Sequence, residues 1–265
     1  MPVPQSAMGA PVIVGAALLL TVLAMGGLVL AVPGFRAAPL HNAQQLGPVE
    51  ITQLQVQASA GRDAQALALL LAQANAGNAI AKRALGLVLL DSMEASAAAA
   101  GLRWLQEAAE QGDSLAQVSL GKRYLQGSTS VPRDYAQSLH WFGLAAQGKD
   151  PAAAYFLGVQ YANGYGLQAN PKAAFSWFLL AAEQGQPAAM FMLANAYRYG
   201  DGVRTDFAKA VAYYEAAAEL EHPQAVQTLA MAYLHGEMDL PVNMSKFEHY
   251  MAETAHALKH PPLEP

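Results

Sequence analysis

A segment of about 36 residues occurs four times in this chain, and the repetition constrains the fold more than any other feature. Its leucines are 37, 36 and 36 residues apart, at Leu120, Leu157, Leu193 and Leu229. Tyrosines, glycines and a pair of alanines recur in register with them. Self-similarity at a fixed period of roughly 20–50 residues is the signature of an array in which each unit packs on its neighbours.

Each copy predicts a helical hairpin. In the copy at residues 153–185, small and apolar residues first follow one face of a helix, and Gly164 breaks it. Asn170 then suits an N-cap and Pro171 the first turn of a second helix. Equivalent caps are expected at Asp134, Asn170, Asp206 and Asn243. An aromatic column seven residues further on should supply the buried area between hairpins, at Trp141, Trp177, Tyr213 and Tyr250.

The repeated pattern resembles the Sel1-like repeat, a relative of the tetratricopeptide repeat with a slightly longer unit. The resemblance rests on A-x3-L-G-x2-Y-x2-G-x-G-V followed by Asp or Asn, an aromatic residue and A-A-x-Q-G, and on GDGV at residues 200–203. It covers residues 78–257, with a degenerate half-repeat or capping helices expected over 49–77. It implies an all-α fold, an α-solenoid of about five stacked helix–turn–helix repeats.

An uncharged apolar run at residues 12–32 predicts one transmembrane helix ahead of the solenoid. A helix of that length spans roughly 31 Å, enough for a bilayer core of about 30 Å. A cleaved signal peptide is the alternative, but its apolar part is about 7–15 residues long and follows a basic segment. Residues 1–11 form a short polar head without Lys or Arg. We expect a tether over 33–48 and a flexible tail over 258–265.

The orientation of the expected anchor depends on few charges. Arg36 is the first basic residue, and by itself it favours a cytoplasmic solenoid. A single N-terminal anchor ahead of such an array resembles bacterial periplasmic proteins tethered to the inner membrane. We therefore expect a single-pass membrane protein with a periplasmic solenoid, and a cytoplasmic solenoid is the alternative.

Composition and motifs argue against several classes of function. Charged residues make up 13% of the chain and the formal net charge is −5, so the composition does not predict the basic surface that binding to nucleic acid requires. The absence of cysteine excludes disulfides, thiolate metal sites and thiol catalysis. No HExxH, GxSxG or phosphate-binding GK[ST] sequence is present. We expect no enzymatic activity, no cofactor and no bound metal.

The resemblance also implies where a partner would bind, because first helices line the concave surface of the tetratricopeptide relatives. Positions two and five residues either side of the leucine column should face that surface. We call eight residues there the predicted groove; they are Lys122, Tyr155, Val159, Phe191, Asn195, Arg198, Gln227 and Met231. Apolar anchors with a few polar groups suit a peptide. For Tyr155 and Phe191 the alternative is that they wedge neighbouring hairpins together.

These observations predict a membrane-anchored, non-catalytic scaffold or adaptor that holds a peptide or a partner domain in the predicted groove. One alternative is an architectural subunit that packs into a membrane complex through its convex or end surfaces. A second is a secreted soluble binder, which requires that the N-terminal segment be cleaved.

Overall fold

The computed structural model describes residues 45–92 and 94–259, and within them the chain forms twelve α-helices and no β-strand. The helices are α1 (Pro48–Ala60), α2 (Ala64–Asn75), α3 (Ala79–Leu90), α4 (Ala95–Glu110), α5 (Ser114–Gln126), α6 (Tyr135–Gln147), α7 (Pro151–Asn163), α8 (Pro171–Ala182), α9 (Pro187–Tyr199), α10 (Phe207–Glu219), α11 (Pro223–His235) and α12 (Met244–Lys259). None of the helices in these residues combines the length and apolarity needed to cross a membrane. The predicted transmembrane helix over 12–32 lies outside the described residues, as do the polar head and most of the tether.

Ten of the helices follow the predicted alternation of first and second helices. The first helices are α3, α5, α7, α9 and α11, and each is followed by its second helix, from α4 to α12. The predicted all-α repeat architecture is therefore confirmed in the described part of the chain. Helices α1 and α2 precede the repeats, in the segment for which the sequence predicts a half-repeat or capping helices.

The four predicted caps are confirmed. A side-chain oxygen of each accepts backbone hydrogen bonds of 3.0 or 3.1 Å from the first turn of the second helix. The caps are Asp134, Asn170, Asp206 and Asn243. The backbone N–H of each cap also donates to the carbonyl of the tyrosine near the end of the first helix, over 2.8 or 2.9 Å. These paired bonds close the hairpin and satisfy helix-end groups that would otherwise lack partners.

Glycine ends each of these first helices. Gly127, Gly164, Gly200 and Gly236 have positive φ angles between 70° and 82°. Residues with a Cβ rarely adopt this backbone, so the turn requires the recurring glycine. At Gly127 an added Cβ would also lie 2.9 Å from the backbone nitrogen of Arg133.

In the hairpins α5–α6 and α7–α8, an aromatic ring of the second helix packs directly on a glycine of the first helix. A Cβ added to Gly158 would lie 2.5 Å from the ring of Phe178, and one added to Gly121 would lie 2.6 Å from the ring of Phe142. Phe142 and Tyr214 are fully buried, and Phe178 is 3% exposed. Close approach of the two helices therefore depends on the missing side chain of the first helix.

Trp141 of the predicted aromatic column is buried as expected, at 5% exposed, but in the next two hairpins the enclosed position is displaced by one residue. Trp177 and Tyr213 are half-buried, and the fully enclosed rings belong to the residues that follow them, Phe178 and Tyr214. One residue turns a helix by about 100°, which moves the next side chain toward the first helix. Trp177 packs against two cores, one that includes Phe142 and Leu157 and one that includes Phe178 and Leu193 of the following hairpin.

The described chain divides into two compact units, residues up to Ala108 and residues from Ala109 onward. The core of the first unit includes the buried side chains of Ile51, Leu70 and Leu85. The second unit contains the hairpins from α5 to α12, whose cores follow one another along the chain. Every residue of the predicted groove belongs to the second unit.

Candidate partner-binding face

All eight residues of the predicted groove lie on first helices of the second unit. Lys122 is on α5, Tyr155 and Val159 are on α7, Phe191, Asn195 and Arg198 are on α9, and Gln227 and Met231 are on α11. One column of equivalent positions contains Lys122, Val159, Asn195 and Met231, and a second, four residues earlier, contains Tyr155, Phe191 and Gln227. The columns become more exposed toward the C-terminal hairpin, since Gln227 and Met231 are exposed and the other members are half-buried.

The two aromatic residues contribute to the core. The ring of Tyr155 lies 5.2 Å from that of Phe156 and 6.0 Å from that of Phe178, and burial raises the pKa of Tyr155. Phe191 stacks on His222 at 4.9 Å, at the start of the next hairpin. Because both rings are half-buried, packing occupies part of each and leaves the remainder accessible.

Two polar residues of the predicted groove have partners in neighbouring elements. The Tyr214 hydroxyl donates a hydrogen bond of 2.6 Å to Oδ1 of Asn195, which ties α10 to α9. The Arg198 guanidinium lies 2.5 Å from the carboxylate of Glu237, which follows α11 in the next hairpin. Burial raises the pKa of the Tyr214 hydroxyl, so it remains a donor. Asn195 and Arg198 therefore stabilise the contacts between helices as well as contributing to the predicted groove.

The two ends of the predicted groove offer different surfaces. On α5 the Lys122 ammonium lies 5.2 Å from the centre of the Phe156 ring, within reach of a cation–π interaction. On α11 the side chain of Met231 is 38% exposed, beside the exposed Gln227. The C-terminal end of the predicted groove thus presents an exposed amide and an exposed thioether group.

A cavity of about 220 Å³ opens between the hairpin α7–α8 and the hairpin α9–α10. It is lined by Ala162, Pro171, Ala174, Phe175, Phe178, Met192, Asn195, Ala196 and Asp201. Asn195 is the one lining residue that the sequence also assigns to the predicted groove. Ala162, five residues after Leu157, also holds a position expected to face that surface. Four of the remaining residues were missed because they belong to α8, the second helix of the preceding hairpin.

The cavity coincides with a change of residue size in one repeat column. Ala196 lines it, and the equivalent position one repeat earlier holds Gln160, whose side chain is fully buried. Neither polar atom of the Gln160 side chain has a hydrogen-bond partner among the described residues. The step from glutamine to alanine was visible in the sequence, but it indicates a cavity only once the facing α8 residues are known.

The side chains of this face can bind by apolar contact and by hydrogen bonding. In the described part of the chain no group of three or more His, Asp or Glu side chains could hold a metal ion. Glu183 and Glu219, which recur at one repeat position, are exposed on the separate helices α8 and α10 or at their ends.

A family model for the Sel1 repeat matches residues 81–113, 114–150, 151–186, 187–222 and 228–246. The chain belongs to the Sel1 repeat family. The matched segments begin close to the first helices, so the family repeat and the structural hairpin coincide. The resemblance predicted from the sequence is confirmed.

Solved structures share this Sel1 repeat fold. A Sel1 repeat protein from Oxalobacter formigenes is 25% identical with a TM-score of 0.70, over 80% of this chain and 88% of that one. The protein c5321, a protective antigen present in uropathogenic Escherichia coli strains and displaying an SLR fold, is 32% identical with a TM-score of 0.66 over 72% of this chain. This chain spans 41% of the c5321 chain. No curated protein matches the sequence.

Proposed function

We propose that this Sel1 repeat protein is a membrane-anchored, non-catalytic scaffold that binds a peptide or a partner domain in the predicted groove. The observation that carries the proposal is the pair of residue columns on successive first helices, which end in the exposed Gln227 and Met231. In helical repeat proteins each repeat contacts only its neighbours, so equivalent helices line up along the array. Their side chains form an extended surface that can bind a partner. The accessible edges of Tyr155 and Phe191 add apolar contact area to that surface.

Site-specific photocrosslinking tests the binding face. A benzophenone amino acid is placed at Gln227 or Met231 in the full chain, expressed in its native host. The matched control position is Ala212, an exposed residue of the second helix α10. We expect the two first-helix positions to crosslink the same partner and Ala212 to crosslink none. Silence at both first-helix positions contradicts the proposal.

An architectural subunit is the second candidate, and the C-terminal hairpin favours it. The last family match ends at residue 246, and apolar side chains at this end are exposed: Val242 by 66%, Met244 by 53% and Met251 by 42%. A neighbouring subunit could cover them. Crosslinks from Met251 or Ala212, with none from Gln227 or Met231, would favour this candidate over the scaffold.

The anchor is part of the proposal and rests on the uncharged run at residues 12–32. We propose that it is retained in the mature protein and holds the repeats on the periplasmic side of a bacterial inner membrane. A reporter active only in the periplasm, fused after residue 265, should be active, and N-terminal sequencing should find Met1 or Pro2. An inactive reporter would place the repeats in the cytoplasm. A mature terminus near residue 33 would instead support the secreted binder.

A further inference from the structure

The cavity between α8 and α9 is large enough for a bulky side chain. Its volume is about 220 Å³, and an apolar cavity of about 150 Å³ is sufficient to bind benzene. Its walls are mainly apolar, with rings from Phe175 and Phe178 on one side and the thioether of Met192 on the other. A phenylalanine or leucine side chain from another molecule would therefore fit, and it would remove apolar surface from water.

The lining of the cavity carries one charge. Asp201 is exposed just after α9, and its carboxylate makes no ion pair or hydrogen bond with another side chain in the described residues. Asn195 supplies the one amide, and its Oδ1 is already engaged by Tyr214, which leaves the Nδ2 donors for a partner. A cation matches the carboxylate of Asp201, and a peptide carbonyl matches the donors of Asn195.

We infer that this cavity is the anchor pocket of the predicted groove, and that it takes a bulky apolar side chain next to a lysine or arginine in a peptide segment of the partner. The inference rests on the proposed function, because Asn195 belongs to both the cavity and the predicted groove. It adds the chemistry of the segment that is bound and the pair of helices that bind it.

The pocket is tested with defined peptides and the full chain carrying ¹³C-methyl methionine, solubilised in a mild detergent. The probe is Gly-Ser-Phe-Lys-Ser-Gly with blocked termini, and the controls replace Phe by Ala or Lys by Glu. The chain has ten methionines, and the signal of Met192 is identified by its loss in Met192→Leu. We expect the Phe–Lys peptide to shift the Met192 signal, the alanine peptide to bind about tenfold more weakly or worse, and the glutamate peptide to bind up to about fivefold more weakly.

Two variants separate the apolar part of the pocket from its charge. Ala196→Gln fills the cavity with the side chain that position 160 already holds, and it should abolish the Met192 shift. Asp201→Asn changes an exposed residue and should remove the preference for lysine over glutamate in the peptide. The control Glu219→Gln removes an exposed carboxylate outside the cavity and should leave binding unchanged.

The outcomes distinguish failure of the pocket inference from failure of the proposed scaffold function. A Met192 signal that does not move at millimolar peptide, or that responds equally to all three peptides, overturns the pocket. If Gln227 still crosslinks a partner in that case, the scaffold proposal stands without it. A response that survives unchanged in both Ala196→Gln and Asp201→Asn also overturns the pocket, because the peptide would then bind elsewhere.

Discussion

Lys149 adopts a positive φ of 64° at the turn between two hairpins, where Gly112 and Gly185 hold the equivalent positions. Left-handed backbone costs a residue with a Cβ about 1–2 kcal/mol. Lys149→Gly should therefore raise the free energy of unfolding by roughly 0.5–1 kcal/mol, after the extra backbone entropy of glycine is subtracted. Urea denaturation followed by circular dichroism measures the change. Lys149→Ala is the control and should bring no gain; an equal gain would mean that the turn is unstrained.

His222 makes stability depend on pH. It caps α11 by accepting a hydrogen bond from the backbone of Ala225, and burial lowers its pKa from the ordinary value of 6.5. As the pH falls through about 6.5, the unfolded chain takes up a proton before the folded chain does, so stability is lost below that pH. Protonation would also remove the acceptor that caps the helix.

Replacing His222 by asparagine tests this dependence, because asparagine caps a helix without titrating. The free energy of unfolding of the wild-type chain should fall more than that of His222→Asn between about pH 7.5 and about pH 5.5. Parallel pH profiles for the two proteins would show that His222 does not contribute.

The local features of the repeats were predictable from the sequence and the long-range pairs were not. Each cap bonds to a backbone group two or three residues away, so identity and position sufficed for Asn170 and its equivalents. The engagement of Asn195 by Tyr214 and of Arg198 by Glu237 spans 19 and 39 residues. The Arg198 guanidinium, which the sequence assigns to the predicted groove, is therefore paired with Glu237.

At the scale of the helix, the pairing within the hairpins α5–α6 and α7–α8 depends on a glycine opposite a ring. In Gly158→Ala the new Cβ would lie 2.5 Å from the ring of Phe178, and overpacking of this kind costs about 1–3 kcal/mol. Gly143→Ala on α6 is the matched control, because no atom outside its helix lies within 4 Å of the added Cβ. Helix propensity should then raise stability by roughly 0.5–1 kcal/mol. Thermal unfolding should move in opposite directions for the two variants, and equal shifts would contradict the packing described for Gly158.

The sequence predicted that the helices form, but it did not predict which residue of each second helix faces the first helix. Leu157 and Gly158 on the first helix establish which face is buried, and the structure agrees. On the second helix both Trp177 and Phe178 are apolar and bulky, so the pattern allowed either to be the inner residue. Only the position of the first helix decides between them.

At the scale of the whole second unit, each hairpin should stabilise its neighbours, because both contribute residues to the core between them. Phe178 is 3% exposed and contributes to the core that also contains Leu193 of the next hairpin. Phe178→Ala should cost about 3–5 kcal/mol and split or broaden the thermal transition, because neighbouring hairpins lose their coupling. Calorimetry checks this outcome. A single sharp transition at lower temperature would mean that the unit unfolds as one block.

The repeat period predicted the family and the helical architecture because a fixed interval of leucine, tyrosine and glycine leaves few other folds. The cavity was beyond prediction, since it requires both Ala196 on α9 and the ring of Phe175 on α8. The anchor over residues 12–32 and the side of the membrane stay predictions from the sequence.

Binding in the predicted groove is tested most directly by the affinity of the crosslinked partner for two variants, one changed on a first helix and one on a second helix. Isothermal titration would compare the wild-type chain with Met231→Glu on α11 and Ala212→Glu on α10, two exposed positions that each gain one negative charge. We predict that Met231→Glu weakens binding by about tenfold or more and that Ala212→Glu changes it by less than about twofold. Full affinity in Met231→Glu together with loss in Ala212→Glu would contradict binding in the predicted groove.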